Sequence, residues 1–239
     1  MMTAEPFHEE VLRALRAAAP VDPTAGERIR LDRKSELVHL GVATPTRRRI
    51  VRRGFSFSYE SETDVLAVWD AIWHQTLYAD VLFAVLDHYR DALRCSIPPR
   101  FWKVASRWID RIDNWAHADD LARVYSWVLA AERDFVLQTL RVWNTSPDQW
   151  RRRISIVSLI HYSGPNAAFI PASVALPLVA NCVDDERSTV QNAVGWVLRE
   201  ISRKEPEAVI EFLETHRELP AATIRRATER FEPRLRTAR

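Results

Sequence analysis

Glycine is scarce in this chain, with 5 residues in 239, and cysteine scarcer still, with 2. So few glycines argue against hairpin-rich sheets and phosphate-cradling loops, and favour helix packed on helix. No GxSxG or GxxxxGK[ST] string occurs, which removes the serine-nucleophile elbow and the P-loop from consideration. Cys95 and Cys182 lie far apart without a CxxC pattern, which fits a reducing compartment and excludes a cysteine-ligated zinc site. The seven histidines show no HExxH or paired ligand spacing, so no metal and no cofactor is expected. Lysine occurs only at positions 34, 103 and 204, too sparse to place a Schiff-base nucleophile beside the site described below. No uncharged run approaches the ~18 residues a membrane span needs, and the N-terminus lacks a signal peptide's layout. The expectation is a cytoplasmic protein with no membrane partner.

What the chain does have is tryptophan, nine of them, and arginine. The net charge of +2 diagnoses no partner, but the arginines cluster. One group is Arg47, Arg48, Arg49, Arg52 and Arg53; a second is Arg151, Arg152 and Arg153; a third runs from Arg225 to Arg239. The planar guanidinium suits phosphate, so separated clusters are able to follow a nucleic-acid backbone. Solvated helix faces and a loose tail are the alternative for any one cluster.

Helical patterns follow one another along the chain, over about 6–18, 46–53, 61–74, 77–94, 99–112, 116–130, 132–144, 148–161, 171–182, 188–203, 205–216 and 220–231. Prolines punctuate them, at Pro20, Pro23, Pro98, Pro99, Pro147, Pro165, Pro206 and Pro220. Few period-two runs compete, and the best, Phe55 to Tyr59, is short enough to be a connection. The expected fold is all-α. Trp150 to Ile154 aligns with Val190 to Val194, and the Trp115 segment precedes them at a similar interval of roughly 35–40 residues, close to helix-pair repeats of the HEAT type. Such repeats stack into a curved α-solenoid with a concave binding face. A compact non-repeat helical domain is the alternative. Residues 1–239 are read as a single domain, with N-terminal helices over about 1–30 and an Arg-rich tail over about 233–239.

Two tryptophans sit on the wrong side of their helices. In the helix from Ser188 to Arg203, Val190, Ala193, Val194, Val197 and Ile201 form the core stripe. Trp196 falls roughly 130° from its centre, beside Asn192 and Arg199. In the helix after Asn114, Leu121, Val124, Tyr125 and Val128 form the stripe, while Trp115 and Asp119 share the opposite side at i and i+4. A carboxylate beside an aromatic face is a receptor for positive charge. A helix-start aspartate and a tryptophan plugging a neighbouring repeat are the plainer alternative. Arg153 lies at the border of its own core stripe, able to anchor by packing and reach a groove. Arg151 and Arg152 point elsewhere and read as more solvated.

Trp115-Ala-His-Ala-Asp119, Trp150-Arg-Arg-Arg153-Ile and Asn192-Ala-Val-Gly-Trp196-Val-Leu-Arg-Glu200 resemble, in order and spacing, three signature segments of the AlkD-type DNA alkylation-repair glycosylases. Leu40-Gly-Val-Ala-Thr-Pro45-Thr-Arg-Arg-Arg-Ile50 resembles that family's N-terminal segment. The resemblance covers about residues 35 to 232; Trp73 to Leu93 matches only loosely, and residues 1–30 carry no signature.

The resemblance implies HEAT-like repeats with a concave DNA-binding face, and excision of cationic N3- and N7-alkylated purines such as 3-methyladenine and 7-methylguanine. It places the catalytic aspartate on Asp119, the groove-lining tryptophans on Trp115 and Trp196, and the backbone-contacting arginine on Arg153. Arg47, Arg48, Arg152 and Arg199 are further candidate DNA contacts. The implied partner is double-stranded DNA carrying alkylated purines, met by a monomer associated with the nucleoid when engaged. An alkylated purine is already a good leaving group, so one carboxylate suffices where glycosidases use two. The resemblance further implies recognition without extruding the base into a pocket, hence tolerance of bulky adducts and little activity on uracil. The alternatives are a non-catalytic HEAT-like protein binding bent or branched DNA, against which the retained Asp119 argues, and a protein scaffold without DNA affinity. The preferred lesion is left open.

Overall fold

A computed structural model describes residues 5–93, 96–160 and 170–231. Among these the chain forms thirteen α-helices and no β-strand; Val38 and Tyr78 make one isolated parallel bridge. The all-α expectation holds. Cys95, the Gly164–Pro165 break and the Arg-rich tail lie outside the described residues. The chain divides into two compact units, Met1–Val124 and Tyr125–Arg239.

The first unit contains α1 (Glu5–Arg16), α2 (Ala25–Arg33), α3 (Thr44–Arg53), α4 (Glu62–Gln75), α5 (Ala79–Ala92), α6 (Phe101–Ala105) and the start of α7 (Trp115–Ala131). Helix α3 packs on α5, and α4 packs on both α1 and α5. Its core is aromatic. Trp69, Trp73 and Trp108 are fully buried, and Trp73 stacks on Trp108 with ring centroids 5.2 Å apart. Each buried indole of that pair has an acceptor: Trp73 Nε1 donates to the Trp108 carbonyl (3.1 Å) and Trp108 Nε1 to Asp70 (2.8 Å). The period-two run from Phe55 is a 3₁₀ turn over Ser56–Tyr59, which presents Phe55 and Phe57 edge-on to Trp69. A Cβ at Gly26 would lie 1.9 Å from the His39 carbonyl oxygen, so α2 touches the following loop through a position only glycine fills.

The second unit contains the end of α7 and α8 (Arg133–Asn144), α9 (Gln149–Val157), α10 (Ala172–Ala180), α11 (Ser188–Ile201), α12 (Pro206–Thr215) and α13 (Ala221–Ala227). Helix α9 packs between α8 and α11, α11 packs against α13, and α10 touches α9, α11 and α12. Asp148 starts α9 by accepting the Arg151 amide at 2.8 Å.

Several long-range hydrogen bonds within each unit span 32–40 residues. In the first unit, Asp80 accepts the Leu40 amide (2.7 Å) and Asp87 accepts Arg47 (2.8 Å), each across 40 residues. In the second, Thr189 donates to Gln149 across 40 residues (2.6 Å), Asn181 to Asn144 across 37 (2.8 Å) and Thr223 to Gln191 across 32 (3.0 Å).

Candidate functional site

Helix α7 begins at an Asx cap. The Asn114 side-chain oxygen accepts the amides of Ala116 (3.0 Å) and His117 (3.2 Å), satisfying two donors that an open helix end leaves unpaired. Trp115 follows at the first helical position and keeps 46% of its surface exposed, unusual for an indole in a chain that buries Trp69, Trp73 and Trp108 completely. Asp119, one turn on, is half-buried. Leu121, Val124, Tyr125 and Val128 are buried, so the helix is oriented as its sequence requires. The pair therefore shares the outer side of α7.

The surroundings of this pair are charged. Asp120 is next to Asp119 and sits 3.8 Å from Arg123. Burial raises the Asp120 carboxyl above its usual range despite that guanidinium. Burial also works to raise Asp113, but hydrogen bonds from Ser35, Asn114 and the Glu36 amide outweigh it and hold the carboxyl low. His117 is fully buried, and burial pushes its pKa down, so the imidazole is neutral at physiological pH.

In the second unit, Trp196 is half-buried on α11, between exposed Asn192 and half-buried Arg199. It follows Gly195, where an added Cβ would come 2.9 Å from the Thr223 carbonyl oxygen. The close approach of α13 at that position fixes one side of α11 beside Trp196. Arg153 is buried, at 5% exposure, and its guanidinium donates to the Thr189 carbonyl in the first turn of α11. Arg153 and Trp196 thus belong to adjacent, directly bonded helices.

The remaining arginines divide differently from the expectation. Arg47 is drawn inward: it pairs with buried Asp87 at 2.8 Å and lies over Phe83, with 4.6 Å from guanidinium carbon to ring centroid. Its charge is engaged inside the protein, on Asp87. Arg48 pairs with the other Asp87 oxygen (2.9 Å) and is more exposed. Arg152, read as solvated, is mostly buried between Asp185 (2.7 Å) and the Asn181 carbonyl (2.6 Å). Arg199 bridges buried Glu200 (3.1 Å) and exposed Glu229 (2.7 Å). Asp87 and Glu200 escaped the sequence reading. Each is a buried carboxylate gathering three arginines: Arg47, Arg48 and Arg90 on Asp87, and Arg199, Arg203 and Arg230 on Glu200. Among the described residues no cluster of three His, Cys, Asp or Glu side chains is arranged to hold a metal, and no helix is long and apolar enough to cross a membrane.

A protein-family model described as DNA alkylation repair enzyme matches residues 11–231, nearly the whole chain. The chain belongs to the DNA alkylation repair enzyme family. Members and relatives of known structure share its fold at low identity. A protein from Enterococcus faecalis, described as a predicted DNA alkylation repair enzyme, superposes with a TM-score of 0.73 at 14% identity, covering 90% of this chain and 98% of that one. AlkD2 from Streptococcus mutans matches with a TM-score of 0.55 at 15% identity, covering 97% of this chain and all of that one. The alkylpurine DNA glycosylase AlkC from Pseudomonas fluorescens, solved bound to DNA containing an abasic site analog, gives 0.53 at 13% identity. This chain spans 62% of AlkC, and AlkC covers 95% of this chain. No curated protein matches the sequence. Membership supplies a DNA-repair role; the chemistry rests on the side chains of this family member.

Proposed function

We propose that this protein is a monofunctional DNA glycosylase that hydrolyses the N-glycosidic bond of cationic N3- and N7-alkylated purines in duplex DNA. The observation that carries the reading is Trp115, 46% exposed, one helical turn from Asp119 at a firmly capped helix start. An exposed indole face beside a carboxylate attracts a cation through the ring quadrupole and the full charge together. The family match and the glycosylase activity named for AlkC support the assignment.

In this mechanism the C1′–N bond of the deoxynucleotide lengthens and its electron pair leaves with the base, which becomes neutral. Positive charge develops on the sugar as an oxocarbenium ion, stabilised by the Asp119 carboxylate and the Trp115 face. Asp119 orients a water whose oxygen bonds C1′, and the proton released passes to the carboxylate and then to solvent. In the second unit, Trp196 offers a π face and Arg153 a guanidinium to the bound duplex. Each cation–π contact contributes roughly 0.5–2 kcal/mol when desolvated. Because the leaving base needs no protonation, no second acid is required and the base needs no closed pocket. Bulky adducts are then accepted, and neutral lesions such as uracil are poor substrates. The product is an abasic site, with no lysine-dependent strand cleavage. The HEAT-like character of the repeats and action as a monomer on duplex DNA belong to the same proposal.

Base release from methylated duplex DNA, wild type beside Asp119→Asn, tests it. Release of 7-methylguanine or 3-methyladenine by the wild type alone establishes the activity and the carboxylate. If both proteins bind DNA and neither releases methylated or bulky adducts, the non-catalytic reading on bent or branched DNA takes its place.

A further inference from the structure

The start of α7 is held more tightly than a helix cap requires. Besides accepting two amides through Oδ1, Asn114 donates through Nδ2 to Asp113 Oδ1 (2.7 Å) and to His117 Nδ1 (2.7 Å). His117 Nε2 lies 3.1 Å from the Ala79 carbonyl, an acceptor only, so Nε2 carries the proton and Nδ1 accepts. Asp113 Oδ2 in turn accepts the Ser35 hydroxyl (2.7 Å) and the Glu36 amide (2.8 Å). The chain thus runs from the segment after α2, through Asp113, Asn114 and His117, to the first residue of α5. Asn114 and His117 are 0% exposed.

A serine or aspartate at position 114 would start the helix equally well, since capping uses one side-chain oxygen. The second set of bonds has no part in helix initiation. Burying an amide and a neutral imidazole is costly unless every polar atom is satisfied, and here hydrogen bonds satisfy Oδ1 and Nδ2 of Asn114 and both ring nitrogens of His117. What such a closed network adds is a fixed position for the first turn of α7, both along its axis and around it. That turn carries Trp115, and the next carries Asp119. A site whose groups must meet a reacting sugar needs this support, because small displacements of catalytic groups cost large factors in rate.

From this the geometry points to Asn114, together with Asp113 and His117, as positioning residues that hold Trp115 and Asp119 for the reaction. The inference rests on the glycosylase reading, and the test separates the two. Asn114→Ser keeps a capping oxygen and removes the Nδ2 grip. His117→Gln retains one donor and one acceptor, whereas His117→Phe retains neither. Each variant is compared with wild type in single-turnover base release from methylated duplex DNA, in Kd for abasic-site duplex, and in the ¹⁹F spectrum of 5-fluorotryptophan-labelled protein, with the Trp115 resonance assigned through Trp115→Phe.

A positioning role gives a rate loss of about tenfold or more in Asn114→Ser and His117→Phe, with Kd within about twofold, and partial recovery in His117→Gln. The Trp115 resonance shifts or broadens while the buried tryptophans keep theirs. An unchanged rate overturns the inference, as does loss of rate, affinity and thermal stability together, which is what a merely structural role produces. If the wild type releases no base, the glycosylase reading fails, and the ¹⁹F spectra alone decide the clamp. A Trp115 resonance unmoved in Asn114→Ser and His117→Phe then overturns it, and a selective shift supports it.

Discussion

Arg47 and Asp87 form a buried ion pair, Nε to Oδ2 at 2.8 Å, with 5% and 3% of their side chains exposed. The pair joins α3 to α5, and Phe83 lies under the guanidinium. Asp87 also receives Arg48 and Arg90, so the carboxylate has spare partners, whereas Arg47 is paired to Asp87. Removing one member of a buried pair leaves an uncompensated charge and costs about 3–5 kcal/mol. Asp87→Ala is expected to lose stability in that range, because it strands Arg47. Arg47→Leu is expected to lose less, since Arg48 and Arg90 still neutralise Asp87. Urea unfolding of the two variants checks the order. Equal losses would mean that the other two arginines contribute little to the node.

Arg153 was expected at a DNA phosphate and is found bonded to the Thr189 carbonyl. Under the proposed function, Arg153→Ala weakens duplex binding and reduces the slope of log K against log salt by about one contact. Fluorescence anisotropy across a salt series measures both. If the slope stays at its wild-type value while the melting temperature falls, Arg153 serves only to tie α9 to α11.

Gly195 stands where α13 presses on α11. A methyl group there would come 2.9 Å from the Thr223 carbonyl oxygen and 3.1 Å from the Arg226 Cβ, and the first of these is backbone that cannot rotate away. Gly195→Ala is expected to displace α13 and to destabilise by about 1–3 kcal/mol, the usual cost of overpacking. The gain in helix propensity of up to ~1 kcal/mol offsets part of it. Chemical denaturation gives the sign directly. Net stabilisation would show that α13 yields without cost. Because Trp196 is the next residue, the same variant is also expected to slow base release.

The helices were largely legible because their stripes are local. The exceptions follow from what local patterns omit. Helix α2 leaves little periodic signal because Ala25–Arg33 is mostly charged, includes Gly26 and buries only that glycine. The stretch around Trp108 has the pattern of one helix but is α6 followed by a 3₁₀ turn over Trp108–Arg111. The outward sides of Trp115 and Trp196 were readable from helical periodicity alone. The fates of Arg47 and Arg152 were not, since each is decided by a carboxylate far along the chain, Asp87 or Asp185. Arg47 and Asp87 are 40 residues apart, on α3 and α5. The clamp around Asn114 draws on Ser35, 78 residues before Asp113, and no local pattern reaches that far.

Acid sensitivity follows from histidines that the fold keeps neutral. Burial pushes His88 down to about 4 from an ordinary 6.5, and burial likewise depresses His117 and His39. Between those values the unfolded chain binds protons that the folded chain refuses, so stability falls as pH drops below about 6.5 and the loss from His88 is complete below about 4. For His88 alone the shift corresponds to roughly 3 kcal/mol at the acid limit. Asp113 and Asp185, whose carboxyls are held low, extend the loss below the ordinary aspartate range, whereas Asp120, held high, opposes it. The expected outcome is a steep decline in unfolding free energy from pH 6.5 to 4, measured by urea titration at each pH. Replacing His88 with the uncharged Gln is expected to flatten that slope whatever it does to stability at pH 7. A wild-type stability that stays level across the window would mean the histidines accept protons in the folded state. A slope unchanged in His88→Gln would transfer the effect to His117 and His39.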